Sequence, residues 1–348
     1  MTVSQGDIYT QIQELFQRGI VTVVGSGASC AYGLPSMSEL AAHLVKAVPG
    51  RIASASSAIQ TEWKSISDNL GLGTGLESTL EPTGISVPLL DVVSDEIAQC
   101  VLVAERAAIE QILGAHEHSP AGRLFAHILK ASATADVITT NYDRLVEVHA
   151  ARANVRVDTM FYGHVVGRFN ATLSRDELSR IQRNPGRNGA LVPGQHPHLR
   201  VSKPHGSLDW FTSGGEHFRT DLGEPGARRI IAPGGSKYRL GYEAPFDAHR
   251  NRANDAIDRA QALLFLGYGF NDEHLQTHLR SRFPEVRSLI LSKNLTAKSR
   301  EYLAMNPRAI GIEENSSGGC IVVQGADQLA LSVPLWDLDC LLKEVLAL

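Results

Sequence analysis

Val21-Thr22-Val23-Val24-Gly25-Ser26-Gly27-Ala28-Ser29 is the stretch on which the fold of this 348-residue chain turns. A β-branched run enters two glycines one residue apart, which reads as a buried strand ending in a tight turn. Glycine lets backbone approach a ligand without a Cβ in the way, and bare N–H groups in such a turn can hold a pyrophosphate. The turn departs from the usual dinucleotide fingerprint. Cys30 stands where a third glycine belongs, and Arg51 to Ser57 offers no acidic residue at the ribose position. Taken alone, the stretch also fits a strand-to-turn junction with no ligand. Its continuation, Gly33-Leu34-Pro35-Ser36-Met37, leads into a helical pattern over Ser38 to Val48 with Leu40, Ala41, Leu44 and Val45 on one face.

Upstream, Ile8, Ile12, Leu15, Phe16 and Ile20 fall at helical spacing, with Asp7 as a cap. Downstream, residues 51–120 read as a helical insertion, with patches at Ala58 to Leu70 and Asp95 to Gly114 around a glycine-rich turn. A helix over Leu124 to Ala131 precedes a second buried strand, Asp136 to Thr140, and a helix over Arg144 to Arg152 follows it. Residues 155–260 read as a loop-rich segment, with short strands at Val155 to Met160 and Leu199 to Lys203. Within it, Arg168 to Leu199 reads as a polar loop and Phe211 to Gly241 as loop or hairpin. A helix over Asn251 to Ala260 delivers the chain into the apolar run Ala262 to Leu266. Ser288 to Leu291 and Cys320 to Val323 complete the strands. Between them a helix is capped by Thr296 and stopped at Pro307, and a terminal helix opens at Ser332 and Pro334. Strands alternating with helices predict an α/β fold, a doubly wound parallel sheet in one domain over 1–348. Ligands of such sheets bind beyond the carboxyl ends of the strands.

Composition narrows the classes. Apolar content of 43% and charged content of 20% are those of a soluble globular protein. A net charge of -4 gives no electrostatic reason to expect nucleic acid binding. Arg180, Arg183 and the polar run from Asn184 to Gly189 read as a solvated loop. Cys30, Cys100, Cys320 and Cys340 form no C-x-x-C pair, which argues against a four-thiolate zinc site and a disulfide framework and for a reducing cytosol. The N-terminus lacks signal-peptide features and no apolar run approaches the ~20 residues of a membrane span, so a cytoplasmic location is expected. His116, His118, His196 and His198 are spaced like metal pairs but lack a cysteine or carboxylate set, and read as surface histidines. Trp210 and Trp336 read as core aromatics.

Three more motifs follow strands: Thr139-Thr140-Asn141-Tyr142-Asp143, Lys203-Pro204-His205-Gly206-Ser207-Leu208-Asp209-Trp210, and Gly267-Tyr268-Gly269-Phe270-Asn271-Asp272. In this order, with the first, they resemble the sirtuin-like NAD-binding domain, and most closely the zinc-free branch of bacterial antiphage effectors. The resemblance implies that Gly25, Ser26, Gly27, Ala28 and Ser29 hold the NAD pyrophosphate. It implies that Leu34, Pro35 and Met37 close over the nicotinamide ribose, with Thr140, Asn141 and Asp143 beside it and Asn141 the catalytic amide. His205 matches the catalytic histidine, and Gly267 and Tyr268 the adenosine-side motif, with Asn271 and Asp272 typical of the defence branch. Asp143 also suits a helix cap before Arg144, and Asn271-Asp272 a cap before Glu273.

Without paired cysteines for a structural zinc, the resemblance implies NAD hydrolysis more than protein deacylation, with NAD as substrate and no metal. An amide can hold a water or ribose hydroxyl, and an imidazole can take a proton near neutral pH. The expectation is an NAD+ glycohydrolase of antiphage defence, giving nicotinamide and ADP-ribose. Homo-oligomerisation, a translocase ATPase partner or an Argonaute-like partner are the controls that the resemblance suggests. The alternatives are a protein deacylase and a non-catalytic NAD or ADP-ribose sensor that acts by assembly.

Overall fold

In the computed structural model, the run Ala262–Leu266 is buried at every position, as is Ile20–Val24. Such strands need cover on both faces, which is why they read as continuous apolar runs rather than alternating ones. The structure describes residues 4–16, 19–80, 85–184, 186, 189–233 and 243–348.

A nine-stranded sheet forms the centre. Its order is Asp327–Leu331, Cys320–Gln324, Ala309–Glu314, Arg287–Leu291, Ala262–Leu266, Ile20–Val24, Thr134–Thr139, His198–Ser202, Arg156–Asp158. All neighbours from Ala309–Glu314 to Arg156–Asp158 are parallel. The two strands beyond Ala309–Glu314 are antiparallel, and Cys320–Gln324 is followed by one more strand, so it is not the last. Ile20–Val24 sits between a strand that follows it closely in the chain order of the sheet and one from far downstream. That is a topological switch point, where the crevice of an open α/β sheet lies.

The faces of the sheet are covered by two clusters. Ile20, Val24, Leu264 and Leu266 pack on the helices Gln5–Leu15, Pro120–Ala131 and Leu338–Leu346, and Val21, Val23, Leu263 and Phe265 pack on Phe246–Arg259 and Glu273–Arg282. A third cluster holds the helices Met37–Arg51, Ser57–Gly71, Leu76–Leu80 and Val87–Gly114 together. On the last of these, Leu89, Val93, Ile97, Val101, Ala108 and Ile112 form an inward stripe at helical spacing. Glu96 and Glu105 interrupt it and are buried against Arg51 and Arg144. No helix among the described residues is long and apolar enough to cross a membrane.

Several boundaries differ from the sequence-based expectation. The helices Val87–Gly114 and Pro120–Ala131 begin earlier than Asp95 and Leu124. Both carry proline in the first turn, where its missing N–H costs nothing and its φ suits a helix. The first helix is capped by Ser4, with Asp7 as the returning member of a capping box. The terminal helix starts at Leu338, capped by Asp337. The stretch expected to be a polar loop holds a short helix, Ala171–Asp176, and a hairpin, Ser179–Asn184 with Ala190–Gln195, which pairs with no other sheet. Pro185, Arg187 and Asn188 lie outside the described residues. The stretch from Phe211 forms the expected hairpin, Gly206–Ser213 with Glu216–Thr220, within a five-stranded antiparallel sheet ordered Ala227–Ile230, Gly206–Ser213, Glu216–Thr220, Val166–Phe169, Phe161–Tyr162. Residues 234–242, at the end of that stretch, lie outside the described residues. His198 is buried in its strand rather than exposed, with its Nδ1 2.8 Å from the His196 carbonyl oxygen. Trp210 is buried, and Trp336 packs partly buried on the core.

Candidate functional site

The turn after Ile20–Val24 is locked to the turn after Ala262–Leu266. Gly25 N donates to Leu266 O at 2.9 Å and Gly27 N to Gly267 O at 3.0 Å. A Cβ on Gly25 would stand 2.5 Å from Gly267 O and 2.6 Å from Tyr268 Cα. Gly267, at φ +56, faces the Ala28 nitrogen across the same gap, so a Cβ there would collide with backbone. The paired glycines therefore admit each other's backbone. That requirement stands beside the ligand approach expected from the sequence.

The turn after Thr134–Thr139 carries Asn141 onto this pair. Asn141 Nδ2 donates to Gly25 O at 3.0 Å and to Ser29 Oγ at 2.9 Å. Ser29 Oγ in turn donates to Asp143 Oδ2 at 2.8 Å. The other carboxylate oxygen of Asp143 accepts from Leu145 N at 3.1 Å, so Asp143 steadies the following helix and orients Ser29 together. Both amide protons of Asn141 are thereby committed to the protein. Its Oδ1, which has no protein partner among the described residues, is the atom left to accept a hydrogen bond from a ligand. Burial pushes the Asp143 carboxyl above the usual range, against the pull of Lys203, Ser29 and Leu145 N. Lys203, buried, donates from Nζ to the Asp143 carbonyl and lies 3.8 Å from Glu147 Oε2. Arg144 ties the same turn to the long helix: its backbone N donates to Glu105 Oε1 at 2.6 Å and its Nη2 to Glu105 Oε2 at 2.6 Å.

His205 rides on the turn between His198–Ser202 and Gly206–Ser213. Gly206 N donates to Lys203 O at 3.0 Å, and Ile231 N to His205 O at 2.9 Å. Gly206 takes φ +84, and a Cβ there would run into Arg229 O, so only glycine closes this turn. The imidazole Nε2 lies 3.0 Å from Asp272 Oδ2, and both side chains are buried. Tyr142 Oη donates to Ile231 O at 2.7 Å. Tyr268 is 4% exposed, and its hydroxyl has no hydrogen-bond partner among the described residues. Burial, with Asp272 adding to it, pushes this hydroxyl well above the usual tyrosine range, so it remains a donor.

These groups line two adjoining cavities. The first, about 160 Å³, is lined by Gly25, Ser26, Ser29, Leu34, Pro35, Met37, Thr140, Asn141, Asp143, His205, Tyr268, Asn271 and Asp272 among others. The second, about 820 Å³, is lined by Gly27, Ala28 and Gly267 and continues over Ser292, Lys293 and Asn294 toward Trp336. Ser29 and Asp143 face both. Every residue singled out in the four motifs thus borders one or both cavities. Sequence reasoning missed Glu77, Val101 and Ile231 in the first cavity. None sits in a strand-end motif, and Glu77 and Val101 come from the helical layer. Lys203 and Tyr142 were in quoted motifs but had no assigned role. Among the described residues, no group of three or more His, Cys, Asp or Glu side chains is arranged to hold a metal ion.

Residues 135–303 match the family model described as SIR2-like domain. No curated protein sequence matches the chain. Similar solved structures include a Sir2 enzyme from work on Sir2 mechanism and regulation, at 12% identity over 88% of this chain and 92% of that one, TM-score 0.41. Another is a Sir2 homologue in complex with 2′-O-acetyl-ADP-ribose, at 13% identity over 86% and 88%, TM-score 0.42. A third is Sir2 with a p53 peptide and NAD+, at 14% identity over 86% and 90%, TM-score 0.41.

Proposed function

We propose that this SIR2-like chain is an NAD+ glycohydrolase that cleaves the bond between nicotinamide and ribose, releasing nicotinamide and ADP-ribose. The observation that carries the proposal is the convergence of Asn141, His205 and the glycine turn on one cavity from three separate strand ends. The smaller cavity suits the nicotinamide ribose and the larger one the ADP moiety, with the Ser29–Asp143 pair at their junction. The Tyr268 hydroxyl and Asn141 Oδ1, neither with a hydrogen-bond partner among the described residues, supply one donor and one acceptor toward the ligand.

Cleavage of a glycosidic carbon passes through an oxocarbenium-like centre. Nicotinamide departs neutral, taking the electron pair of the C1′–N bond, so no acid is needed to protonate it. What is needed is a held water and a base. Asn141 Oδ1 accepts a hydrogen bond from the water and orients it. His205 takes the water's proton as its oxygen bonds to C1′. The Ser29–Asp143–Lys203 chain holds the amide of Asn141 in that orientation. In the antiphage setting that the resemblance suggests, the outcome is loss of cellular NAD+.

The test incubates the purified chain with NAD+, with and without an acylated peptide, and follows nicotinamide and ADP-ribose by chromatography. Equal release of both without peptide is expected, and Asn141→Ala and His205→Ala are each expected to slow it ~10²-fold or more. Product that forms only with acylated peptide, or full activity in both variants, overturns the proposal.

A further inference from the structure

The loop after Ala262–Leu266 brings an acid to the site that the steps above leave unused. Asp272 is 5% exposed, and its Oδ2 stands 3.0 Å from His205 Nε2. The two side chains come from the ends of different strands and share the smaller cavity. The loop that holds Asp272 is braced on both sides. Gly269 O accepts from Thr296 Oγ1 at 2.9 Å, and Phe270 O accepts from Gln276 Nε2 at 2.6 Å. Phe270 itself is fully buried at φ +59, a left-handed conformation unusual for a bulky residue. Such a conformation is strained and persists only where the surroundings impose it, most often at functional sites. Here it turns the chain so that Asp272 meets the imidazole.

Building on the assignment of His205 as the base, we infer that Asp272 is a positioning residue for His205. It stands at ion-pair distance from the Nε2 side of the ring and balances the charge that the ring gains. A neutral imidazole that keeps its N–H toward Asp272 carries its lone pair on Nδ1. The step then balances. A water O–H bond breaks and its proton goes to Nδ1, and the water oxygen bonds to C1′. The C1′–N bond breaks with its pair going to the nicotinamide nitrogen, which loses its formal positive charge. Asp272 neither gains nor loses a proton. Its carboxylate offsets the cost of forming an imidazolium in a buried site, the part played by the acid in Ser-His-Asp triads. This differs from the two roles the sequence suggested for Asp272, a ribose contact or a helix cap.

The experiment is a double-variant cycle on the full chain: Asp272→Asn, His205→Ala, the two combined, and Asp272→Glu. Asp272→Asn is expected to lower kcat roughly 10- to 100-fold, as loss of an orienting partner commonly does, with KM within about twofold. Asp272→Glu is expected to recover at least about a tenth of wild-type kcat, and the combined variant to be no slower than His205→Ala. A raised KM with unchanged kcat, or a combined variant slower than His205→Ala, overturns the inference. Melting of the same proteins at pH 6 tests the pair without any turnover. The combined loss of Tm is expected to fall short of the sum of the single losses by at least ~2 °C. Additive losses overturn the pairing. If the wild-type chain releases no nicotinamide, the glycohydrolase proposal fails, and the melting cycle still decides whether Asp272 and His205 act together.

Discussion

Gly25→Ala tests whether two glycine turns, rather than one, build this site. The added methyl would sit 2.5 Å from Gly267 O and 2.6 Å from Tyr268 Cα, well inside the 3.4 Å at which ordinary contact begins. Neither obstacle is a side chain that can rotate away. The two turns are pinned by the 2.9 Å and 3.0 Å bonds that Gly25 and Gly27 donate, and by the parallel register that sets Val24 beside Leu266. Forcing a methyl into packed backbone costs about 1–3 kcal/mol. Stretching two hydrogen bonds adds about 0.5 kcal/mol apiece. A loss of roughly 2–4 kcal/mol in unfolding free energy follows from these two terms. Gly25 has an extended backbone, φ -105 and ψ 179, so none of the loss is conformational. Two controls separate the causes. Gly33→Ala, at φ +82 with no atom within 4 Å, carries only the left-handed penalty of about 1–2 kcal/mol. Gly50→Ala, inside the helix Met37–Arg51 with no atom within 4 Å, is expected to gain about 0.5–1 kcal/mol. Urea unfolding followed by circular dichroism gives the order Gly50→Ala, wild type, Gly33→Ala, Gly25→Ala. Because Gly25 O anchors the Asn141 amide, nicotinamide release by Gly25→Ala is expected to fall more than about tenfold while the protein is still folded. A Gly25→Ala variant within about 0.5 kcal/mol of wild type and fully active would refute the interlocked turns.

Tyr268→Phe removes a buried hydroxyl without a hydrogen-bond partner among the described residues. Its melting temperature is expected to hold or rise slightly, while binding of NAD+ by calorimetry weakens ~3- to 10-fold. Lower stability with unchanged binding contradicts the ligand role. Glu105→Ala leaves the Arg144 guanidinium buried beside the site turn without its main partner. The expected destabilisation is about 3–5 kcal/mol by urea unfolding, and a change below about 1 kcal/mol would show that the helical layer does not hold the turn. Burial pushes the His149 imidazole down to about 4, below the ~6.5 expected in the unfolded chain. The unfolded state therefore binds the proton first. The stabilisation is complete above about pH 6.5 and is lost as pH falls through about 4, up to roughly 3 kcal/mol. Tm should drop over that window and drop less in His149→Gln; a flat profile between pH 7 and 4 would show the ring is not held neutral.

The sequence by itself determined the elements whose causes are local. An apolar run ending in glycine is a strand because both signals lie within a few residues, so Ala262–Leu266 is found at the expected bounds. Thr296 caps its helix by accepting from the Ser299 N–H three residues on, again a local matter. Proline hid two helix starts, at Pro88 and Pro120, since the same residue breaks a helix interior and suits its first turn. The second sheet stayed unread because four of its five strands have only two to five residues, and Glu216–Thr220 is polar as well. Their pairing partners decide the structure there. The motifs named the residues around the cavities, yet the use of each atom was settled only in three dimensions. Asn141 and Ser29 are 112 positions apart, and no local pattern says that this amide spends both protons on the glycine turn and keeps its oxygen for a ligand. Nor does any say that Asp272 faces an imidazole or that Glu77 enters from the helical layer. Such contacts depend on where whole strands end relative to one another, and that is set by the register and burial of the entire sheet.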